Sequence, residues 1–278
     1  MTNYVADKVV VVSGAGGGFG KLVCEMTAAM GAKVVGCDVN ESALRDVFDG
    51  IAATGADGAF RVTDVRDRDE MHALAEFAIE RFGRIDVMIN NAGTMPLAFY
   101  SDHAEAAAAW DTCIDINFKG VLNGINAVYD QMMAQGCGHV INISSIYGNF
   151  PNAGSAVYSA TKAAVNVLSE ALRVESQGTI KVTVVKPTGV PSTGLGGSVV
   201  NPEAIIGILG ANAATFGDNF MAYLAGPTDN PLANENSTKL WSISPEHLAQ
   251  NIVYTINQPW GVSISDITVR ATGEQYLL

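Results

Sequence analysis

A glycine-rich loop between an apolar β-branched run and a helical pattern constrains the fold of this chain more than any other feature. Residues 8–13 are predicted as a strand, residues 14–20 as the loop, residues 21–31 as a helix and residues 33–37 as the next strand. Glycine lets the backbone adopt positive φ and approach a pyrophosphate closely, and a helix N-terminus offers unpaired amides with partial positive charge. The sequence therefore predicts a βαβ unit with a dinucleotide-binding loop.

The spacing of the loop glycines bears on three interpretations. Gly14, Gly18 and Gly20 follow the pattern G-x-x-x-G-x-G at the junction of the strand and the helix. A nucleoside-triphosphate loop is disfavoured, because Leu22 stands where a magnesium-binding hydroxyl is needed and Ala15 where the leading glycine is needed. For the loop taken alone, a simple flexible turn stays open as the alternative to a phosphate-binding loop.

Asp38 ends the second predicted strand, eighteen residues after Gly20. A carboxylate at this position can accept hydrogen bonds from both hydroxyls of an adenosine ribose, and it repels a 2'-phosphate. Ala15, Gly16 and Gly17 supply no base that could bind such a phosphate. We therefore expect NAD rather than NADP as the cofactor. The alternative is an ordinary aspartate in a strand-end turn.

Strand and helix patterns alternate along most of the remaining chain. Strands are predicted at residues 59–62, 85–89, 138–143, 181–185 and 266–270, and helices at residues 41–54, 69–82, 104–129, 155–176 and 245–256. This alternation is typical of an α/β fold, here a single doubly wound Rossmann domain over residues 1–278 with a parallel sheet of about seven strands and helices on both faces. Residues 187–242 break the pattern and are predicted to form an irregular C-terminal substrate lid.

The composition limits the classes of partner. The 278 residues are 48% hydrophobic and only 16% charged, with a net charge of −12. Excess negative charge disfavours binding to nucleic acid or to an anionic membrane surface. Cys24, Cys37, Cys113 and Cys137 have no metal-ligand spacing, so they are interpreted as reduced thiols and no metal site is predicted. Residues 1–7 lack the pattern of a leader, and we expect a cytoplasmic protein.

A phenol and an ammonium, Tyr158 and Lys162, lie four residues apart in a predicted helix, thirteen residues after Ser145. Four residues is about one helical turn, so the two side chains share a face. A nearby cation stabilises phenolate, and lowering the tyrosine pKa by about two or three units would need roughly 3 to 4 kcal/mol. The sequence thus predicts a tyrosine activated by a lysine. Taken alone, the pair is more often simple packing plus a solvated charge.

Together these features resemble one family, the short-chain dehydrogenases/reductases. Order and spacing match from residue 8 to about residue 190, and the last predicted strand also matches. The residues that carry the resemblance are Gly14, Gly18 and Gly20, then Asn90-Asn91-Ala92-Gly93, Asn117, Asn142-Ile143-Ser144-Ser145, and Tyr158 with Lys162. As a set, these motifs are highly specific.

The resemblance implies a role for each catalytic candidate. Tyr158 would exchange a proton with the substrate oxygen while hydride moves to or from nicotinamide C4, and Ser145, favoured over Ser144 by its spacing, would hydrogen-bond that oxygen. Lys162 would lower the tyrosine pKa and hold the nicotinamide ribose. Asn117 would hold a water that links Lys162 to solvent, whereas taken alone it is an ordinary helix amide.

The resemblance also implies the cofactor contacts. They are Gly14, Gly18, Phe19, Gly20, Asp38, Asp64, Val65, Asn91, Ala92, Gly93, Tyr158, Lys162 and Val190. The chain departs from the family after the sixth strand, where Thr188 replaces the usual glycine after Pro187 and Ser192 stands where a threonine often contacts the cofactor. The nicotinamide side is therefore less well specified than the adenine side.

These features predict an NAD-dependent secondary alcohol dehydrogenase or ketone reductase, acting as a homodimer or homotetramer. An apolar lid would favour cyclic or medium-chain substrates, and its candidate residues are Leu195, Ile205, Ile206, Leu209, Phe216, Phe220, Met221, Tyr223 and Leu224. His103 could also face the substrate. The alternatives are a non-catalytic NAD-binding sensor or scaffold, and a sugar-nucleotide epimerase or dehydratase, whose loop would read G-x-x-G-x-x-G.

Overall fold

Seven parallel strands form one sheet in the computed structural model, which describes residues 2–150, 152–191 and 193–276. The strands are β1 Val9–Ser13, β2 Lys33–Asp38, β3 Gly58–Val62, β4 Val87–Asn90, β5 Gly138–Ile143, β6 Ile180–Pro187 and β7 Asp266–Val269. Their order across the sheet is β3-β2-β1-β4-β5-β6-β7. The predicted doubly wound fold is confirmed.

Helices cover both faces of the sheet. Those of the described residues are α1 Gly18–Ala29, α2 Glu41–Ala53, α3 Arg68–Phe82, α4 His103–Ile114, α5 Val121–Gln135, α6 Ala156–Glu175, α7 Ile205–Leu209, α8 Ala213–Leu224 and α9 Pro245–Ile256. Apolar residues of α1, α2 and α9 form the core on one face, and those of α3, α5 and α6 form the core on the other. None of the described helices is both long and apolar enough to cross a bilayer.

Strand β1 lies in the middle of the sheet and is buried along its whole length. Val10 pairs with Val34 of β2 on one side and with Val87 of β4 on the other. A strand covered on both faces has no solvent side, which explains its unbroken β-branched apolar sequence. The chain order reverses between β1 and β4, so a crevice opens there at the carboxyl ends of the strands, the position where such sheets bind ligands.

The helices predicted over residues 104–129 are joined by a turn of a different type. α4 ends at Ile114, a π-helical turn spans Asp115–Gly120, and α5 continues from Val121. A π-helical turn inside an α-helix is rare and is frequent at functional sites. Asn117, a predicted catalytic residue, lies in this turn and is completely buried.

The prediction of an irregular lid over residues 187–242 is wrong in part, because α7 and α8 lie within it together with short 3₁₀ turns. On α8, Phe216, Phe220 and Tyr223 are spaced by four and three residues and all pack against Trp241. A stripe with this spacing is typical of a helix. Interspersed glycines and asparagines hid it from the sequence interpretation. The domain limits themselves stay a prediction.

Buried amides link the strands beside the crevice. The Asn90 side chain donates to Asn142 Oδ1 at 2.8 Å, and the Asn142 side chain donates to Ser169 Oγ at 2.9 Å. Gly124 of α5 faces Asn90, and a Cβ atom on this glycine would lie 1.9 Å from Asn90 Oδ1. Glycine therefore lets α5 pack closely on β4.

Two glycine-to-alanine variants should change stability in opposite directions. Gly124→Ala forces an atom into the Asn90 contact and should destabilise the protein by about 1–3 kcal/mol. Gly50→Ala, in α2 with no neighbouring atom within 4 Å, should stabilise it by about 0.5–1 kcal/mol through helix propensity. Urea unfolding of both variants measures the difference. Equal stability of Gly124→Ala and the wild type would contradict the close packing.

Candidate active site

A cavity of about 960 Å³ lies at the carboxyl ends of the strands and extends from Asp38 to Trp241. Most of the residues predicted for the site line it. They are Gly14, Gly18, Phe19, Asp38, Asp64, Val65, Asn91, Ala92, Gly93, Ser145, Tyr158, Lys162 and Val190. Gly20 and Asn117 lie behind the wall of the cavity. Residues from several loops that are far apart in sequence thus meet at one crevice.

The glycine loop forms one end of the cavity. Gly14 has a φ of 67°, and a Cβ atom there would lie 2.9 Å from Asn91 Nδ2, so both backbone angle and space require glycine. A Cβ atom on Gly20 would lie 2.1 Å from the Gly14 carbonyl oxygen, so Gly20 lets α1 approach the loop. Gly17, at the N-cap of α1, faces open space and no side chain caps the helix. The helix N-terminus is thus available to an anion.

Ser13 and Asn91 join the ends of β1 and β4. The Asn91 amide donates to the Ser13 carbonyl oxygen at 2.9 Å, and Ser13 Oγ accepts from the backbone amides of Asn91 and Ala92 at 3.0 and 3.2 Å. These bonds hold the mouth of the crevice in shape. Sequence reasoning missed Ser13, although a hydroxyl at the end of an otherwise apolar strand was a usable signal.

Two carboxylates lie at the adenine end predicted for the cofactor. Asp38 Oδ2 accepts from the Gly16 amide at 3.1 Å, which ties the end of β2 to the glycine loop. Asp64 pairs with Arg66 at 2.6 Å, and hydrogen bonds from this arginine hold the pKa of Asp64 below its ordinary value. Arg66 is the guanidinium that lines this end among the residues that the structure describes, and a carboxylate already neutralises its charge.

Ser145, Tyr158 and Lys162 converge in the middle of the cavity, and all three are almost completely buried. Lys162 Nζ donates to the Ile143 carbonyl oxygen at 2.8 Å and lies 5.7 Å from the centre of the Tyr158 ring. Ser145 lies at the start of a 3₁₀ turn. Burial raises the pKa of the Tyr158 phenol, and the Ser145 hydroxyl opposes this rise only in part. The tyrosine and the lysine thus share a face as the spacing predicts.

The pKa of Tyr158 differs from the sequence prediction. Burial raises the pKa of Tyr158 to about 12 and lowers the pKa of Lys162 to about 8. Desolvation disfavours the charged form of each group, and Lys162 Nζ is bonded to a carbonyl rather than to the phenol. The protein groups alone therefore hold Tyr158 as the neutral phenol, and the expected lowering by Lys162 is not produced by the chain itself.

Asn117 is held by bonds to the protein. Its Oδ1 accepts from the Thr94 amide and its Nδ2 donates to the Thr94 carbonyl oxygen, both at 2.9 Å. Nδ2 also lies 3.2 Å from Thr161 Oγ1 on α6. A Cβ atom on Gly93 would lie 3.4 Å from Asn117 Oδ1 and 3.6 Å from Lys162 Nζ. Asn117 Oδ1 and Lys162 Nζ therefore both border the space beside Gly93, and the role of Asn117 in a water link stays a prediction.

The end of β6 supplies a polar group that the sequence left unexplained. The Thr188 hydroxyl is buried beside Glu274 but makes no hydrogen bond of normal geometry with the described residues. Thr188 and Val190 both line the cavity. An unpaired buried hydroxyl at this end suits a polar group of a bound ligand. The contact expected at Ser192 lies outside the described residues.

The far half of the cavity is an aromatic and aliphatic wall. Of the predicted lid residues, Leu195, Ile205, Phe216 and Phe220 line it. Ile206, Met221 and Leu224 are exposed, Leu209 is in the core and Tyr223 packs on Trp241. Sequence reasoning missed part of the wall, namely Met95, Leu97, Tyr147, Ile208, Trp241 and Tyr276. His103 is exposed at the start of α4 and does not line the cavity.

Gln275 fastens this wall from the C-terminal segment. Its side-chain oxygen accepts from Trp241 Nε1 at 2.8 Å and from Asn219 at 3.0 Å, and its nitrogen donates to Thr215 Oγ1 at 2.7 Å. Its carbonyl oxygen accepts from Asn212 at 2.7 Å. The next residue, Tyr276, places its ring against Phe216 and Tyr147. Residues far apart in sequence thereby form one side of the far half of the cavity.

Comparison with known proteins agrees with this geometry. The sequence model described as short chain dehydrogenase matches residues 8–203, and the chain belongs to that family. An uncharacterized oxidoreductase of Listeria monocytogenes is 34% identical over 275 residues, which cover 98% of this chain and 99% of the relative. The protein is therefore an NAD(P)-dependent oxidoreductase of the short-chain dehydrogenase/reductase family.

Two solved structures resemble the chain over most of its length. A metagenomic short-chain oxidoreductase in complex with NADP is 25% identical with a TM-score of 0.72, covering 95% of this chain and 98% of that one. The closed form of a serine dehydrogenase complexed with NADP+ is 27% identical with a TM-score of 0.75, covering 94% of each chain. These likenesses agree with the fold and the family. They do not decide between NAD and NADP for this chain.

The raised pKa of Tyr158 gives a direct test. Without added cofactor, the Tyr158 signal in a tyrosine-labelled NMR titration should stay that of the neutral phenol up to at least pH 10, because its pKa lies above the ordinary tyrosine value of about 10. Tyr158→Phe identifies the signal by removing it. A phenolate forming below about pH 9 would contradict the finding that desolvation dominates at this site.

Proposed function

We propose that the protein is an NAD-dependent oxidoreductase that transfers a hydride between nicotinamide and an apolar secondary alcohol or ketone, of cyclic or medium-chain type. The observation that carries this proposal is the convergence of Ser145, Tyr158 and Lys162 in a cavity that continues without a break to the glycine loop. A non-catalytic sensor would have no need of this buried set.

The residues present fit a dinucleotide. The uncapped N-terminus of α1 suits the pyrophosphate, Asp38 suits the adenosine-ribose hydroxyls, and the unpaired Thr188 hydroxyl suits a polar group at the nicotinamide end. When bound, NAD would supply a hydride acceptor at nicotinamide C4 and the positive charge of its oxidised ring. Lys162 would hold the nicotinamide ribose, as the family resemblance implies.

Asp38 favours NAD over NADP, although two of the similar solved structures hold NADP. A 2'-phosphate would meet the Asp38 carboxylate, and no lysine or arginine of the loop or of the end of β2 could offset the repulsion. Arg66 is already bound by Asp64. Charge repulsion in a partly buried cleft therefore selects the cofactor without a phosphate on its ribose.

The protonation state of Tyr158 defines its role in each direction of the proposed reaction. As a neutral phenol, Tyr158 is ready to donate its proton to a carbonyl oxygen that Ser145 also binds, which is the direction of ketone reduction. To accept a proton from an alcohol, Tyr158 must first become phenolate, and this requires positive charge near the ring beyond what Lys162 supplies. The pKa of Tyr158 therefore depends on what occupies the cavity. Asn117 is proposed to hold the water through which protons leave Lys162.

The wall of the substrate half favours uncharged molecules. Aromatic and aliphatic side chains form most of it, and Lys162 is the one charged residue among those that line it. A charged substrate group there would lose its hydration without gaining a partner. We therefore propose an uncharged substrate for this chain, different from that of the similar serine dehydrogenase.

Helix α6 supports the proposed homo-oligomer. Its outer face carries a stripe of small and apolar residues, Ala160, Ala164, Val167, Ala171 and Val174, and the two valines are 69% and 73% exposed. Such a stripe is suited to a second copy of the chain. Light scattering tests the proposed oligomer, and a monomer would contradict it.

A cytoplasmic location also remains a proposal, supported by four free cysteines.

Tyr158→Phe should lower kcat for ketone reduction by about 10²–10⁴-fold, because it removes the proton donor and leaves the ring in place. NADH binding, followed by nicotinamide fluorescence, should change little. Tyr100→Phe, at an exposed position outside the cavity, is the matched control and should keep full activity. Turnover that survives in Tyr158→Phe would remove the tyrosine from its proposed role.

Asp38→Asn tests the cofactor. The wild type should bind NADH at least about 10-fold more tightly than NADPH, and the variant should lose most of this preference because the repulsive charge is gone. Asp46→Asn, on the exposed side of α2, controls for net charge. Tighter binding of NADPH than of NADH by the wild type would disprove the NAD assignment.

A further inference from the structure

The Tyr147 phenol is a polar group in the substrate half of the cavity, and it has no role in the proposed mechanism. Tyr147 lies in the 3₁₀ turn Ile146–Gly148, lines the cavity, and is only 7% exposed. Its hydroxyl makes no hydrogen bond with any residue that the structure describes. Buried hydroxyls in proteins almost always have a partner, so a buried hydroxyl without one, in a side chain that lines the cavity, indicates a ligand contact.

The turn fixes Tyr147 relative to the reacting groups. The Tyr147 amide donates to Ser145 Oγ at 3.2 Å, and the Gly148 amide donates to the Ser145 carbonyl oxygen at 3.0 Å. A Cβ atom on Gly148 would lie 2.9 Å from the backbone of Lys162, so the turn packs directly on α6. The Tyr147 hydroxyl therefore has a defined position relative to Ser145 and Lys162.

The ring is also held from the other side. Tyr147 and Tyr276 meet edge to face, with ring centres 6.5 Å apart and planes at 80°. Tyr276 is fixed by the Gln275 hydrogen bonds to Trp241 and to α8. The Tyr147 ring is therefore held in one position before a ligand binds, which limits the ordering cost of a contact made by this residue.

The charges around Tyr147 limit what it can bind. Burial, with the nearby Glu274 carboxylate and Tyr276, raises the pKa of Tyr147, so the phenol stays protonated and can donate. Glu274 is paired with Arg270 behind the wall. Tyr147 can thus bind an uncharged oxygen acceptor, whereas an anionic group would approach Glu274 unfavourably. The other unpaired hydroxyl of the cavity, that of Thr188, lies at the nicotinamide end.

We propose that Tyr147 determines substrate specificity by donating a hydrogen bond to a second oxygen of the substrate, a carbonyl, ether or hydroxyl away from the reacting carbon. This inference rests on the proposed function and narrows the substrate to uncharged, oxygen-substituted cyclic or aromatic alcohols and ketones. The aromatic wall binds the ring, and the Tyr147 hydroxyl selects its orientation. A site that hydrogen-bonds a substrate oxygen disfavours the analogue that lacks it, because its own polar group is then left unpaired.

The test compares 1-tetralone with a series of 1-tetralones that carry a methoxy group at successive ring positions. In the wild type, kcat/KM with NADH should be at least about 10-fold higher for one of the substituted ketones than for the parent. In Tyr147→Phe this ratio should fall to about one, mainly through KM. Tyr100→Phe should keep the wild-type ratio. A ratio unchanged in Tyr147→Phe, or a wild type that shows no preference within the series, overturns the proposal.

A stability measurement separates a ligand contact from a structural role. Removing a hydroxyl that has no protein partner should leave the melting temperature of Tyr147→Phe unchanged or slightly higher. A clear fall would show that the hydroxyl has a structural partner and would overturn the inference. Failure of the wild type to reduce any tetralone would overturn the specificity role, and failure with other cyclic and medium-chain ketones as well would contradict the proposed function. Turnover together with an unchanged ratio contradicts only the role of Tyr147.

Discussion

The reciprocal hydrogen bonds between Ser13 and Asn91 are the constraint on which the site depends. They tie the ends of β1 and β4 together where the strand order reverses, with Asn91 bonded to the carbonyls of Ser13 and Gly14. Gly14 and Gly20 leave room for this junction, since a Cβ atom on either would meet backbone or the Asn91 amide. The loop can therefore turn tightly at the point where the crevice opens. The proposed ligand contacts lie along the crevice that this junction holds in shape.

Desolvation makes the charge states of Tyr158 and Lys162 sensitive to whatever occupies the cavity. Tyr158 and Lys162 are buried together, and burial shifts both pKa values toward the neutral forms, to about 12 and about 8. In the proposed mechanism, Tyr158 becomes a base only when positive charge lies beside it, which avoids unproductive proton exchange in the free protein. The exclusion of water strengthens each electrostatic contact that a ligand makes inside the site. The proposed chemistry and the proposed cofactor binding would thus be coupled through desolvation.

Much of the fold and of the glycine-loop end of the cavity could be predicted from sequence, because they rest on local signals. Strand β1 is recognisable from its apolar run, the loop from Gly14 to Gly20 from its spacing, and the Tyr158–Lys162 pair from one helical turn. The substrate half could not be predicted in the same way. Trp241 and Tyr276 reach the cavity only through Gln275, whose bonds join residues 34 to 63 positions apart in sequence, and the glycines around α7 and α8 concealed those helices.

The sequence by itself determined the order of the strands along the chain, the helices that connect β1 to β6, the glycine junction and the identity of the buried tyrosine and lysine, because periodicity and fixed spacing act within a few residues. Only the tertiary structure decided the direction of the Tyr158 pKa, the unpaired hydroxyls of Tyr147 and Thr188, and the aromatic wall. Burial and hydrogen-bond pairing depend on which distant segments exclude water from a group, and no local pattern of residues encodes that.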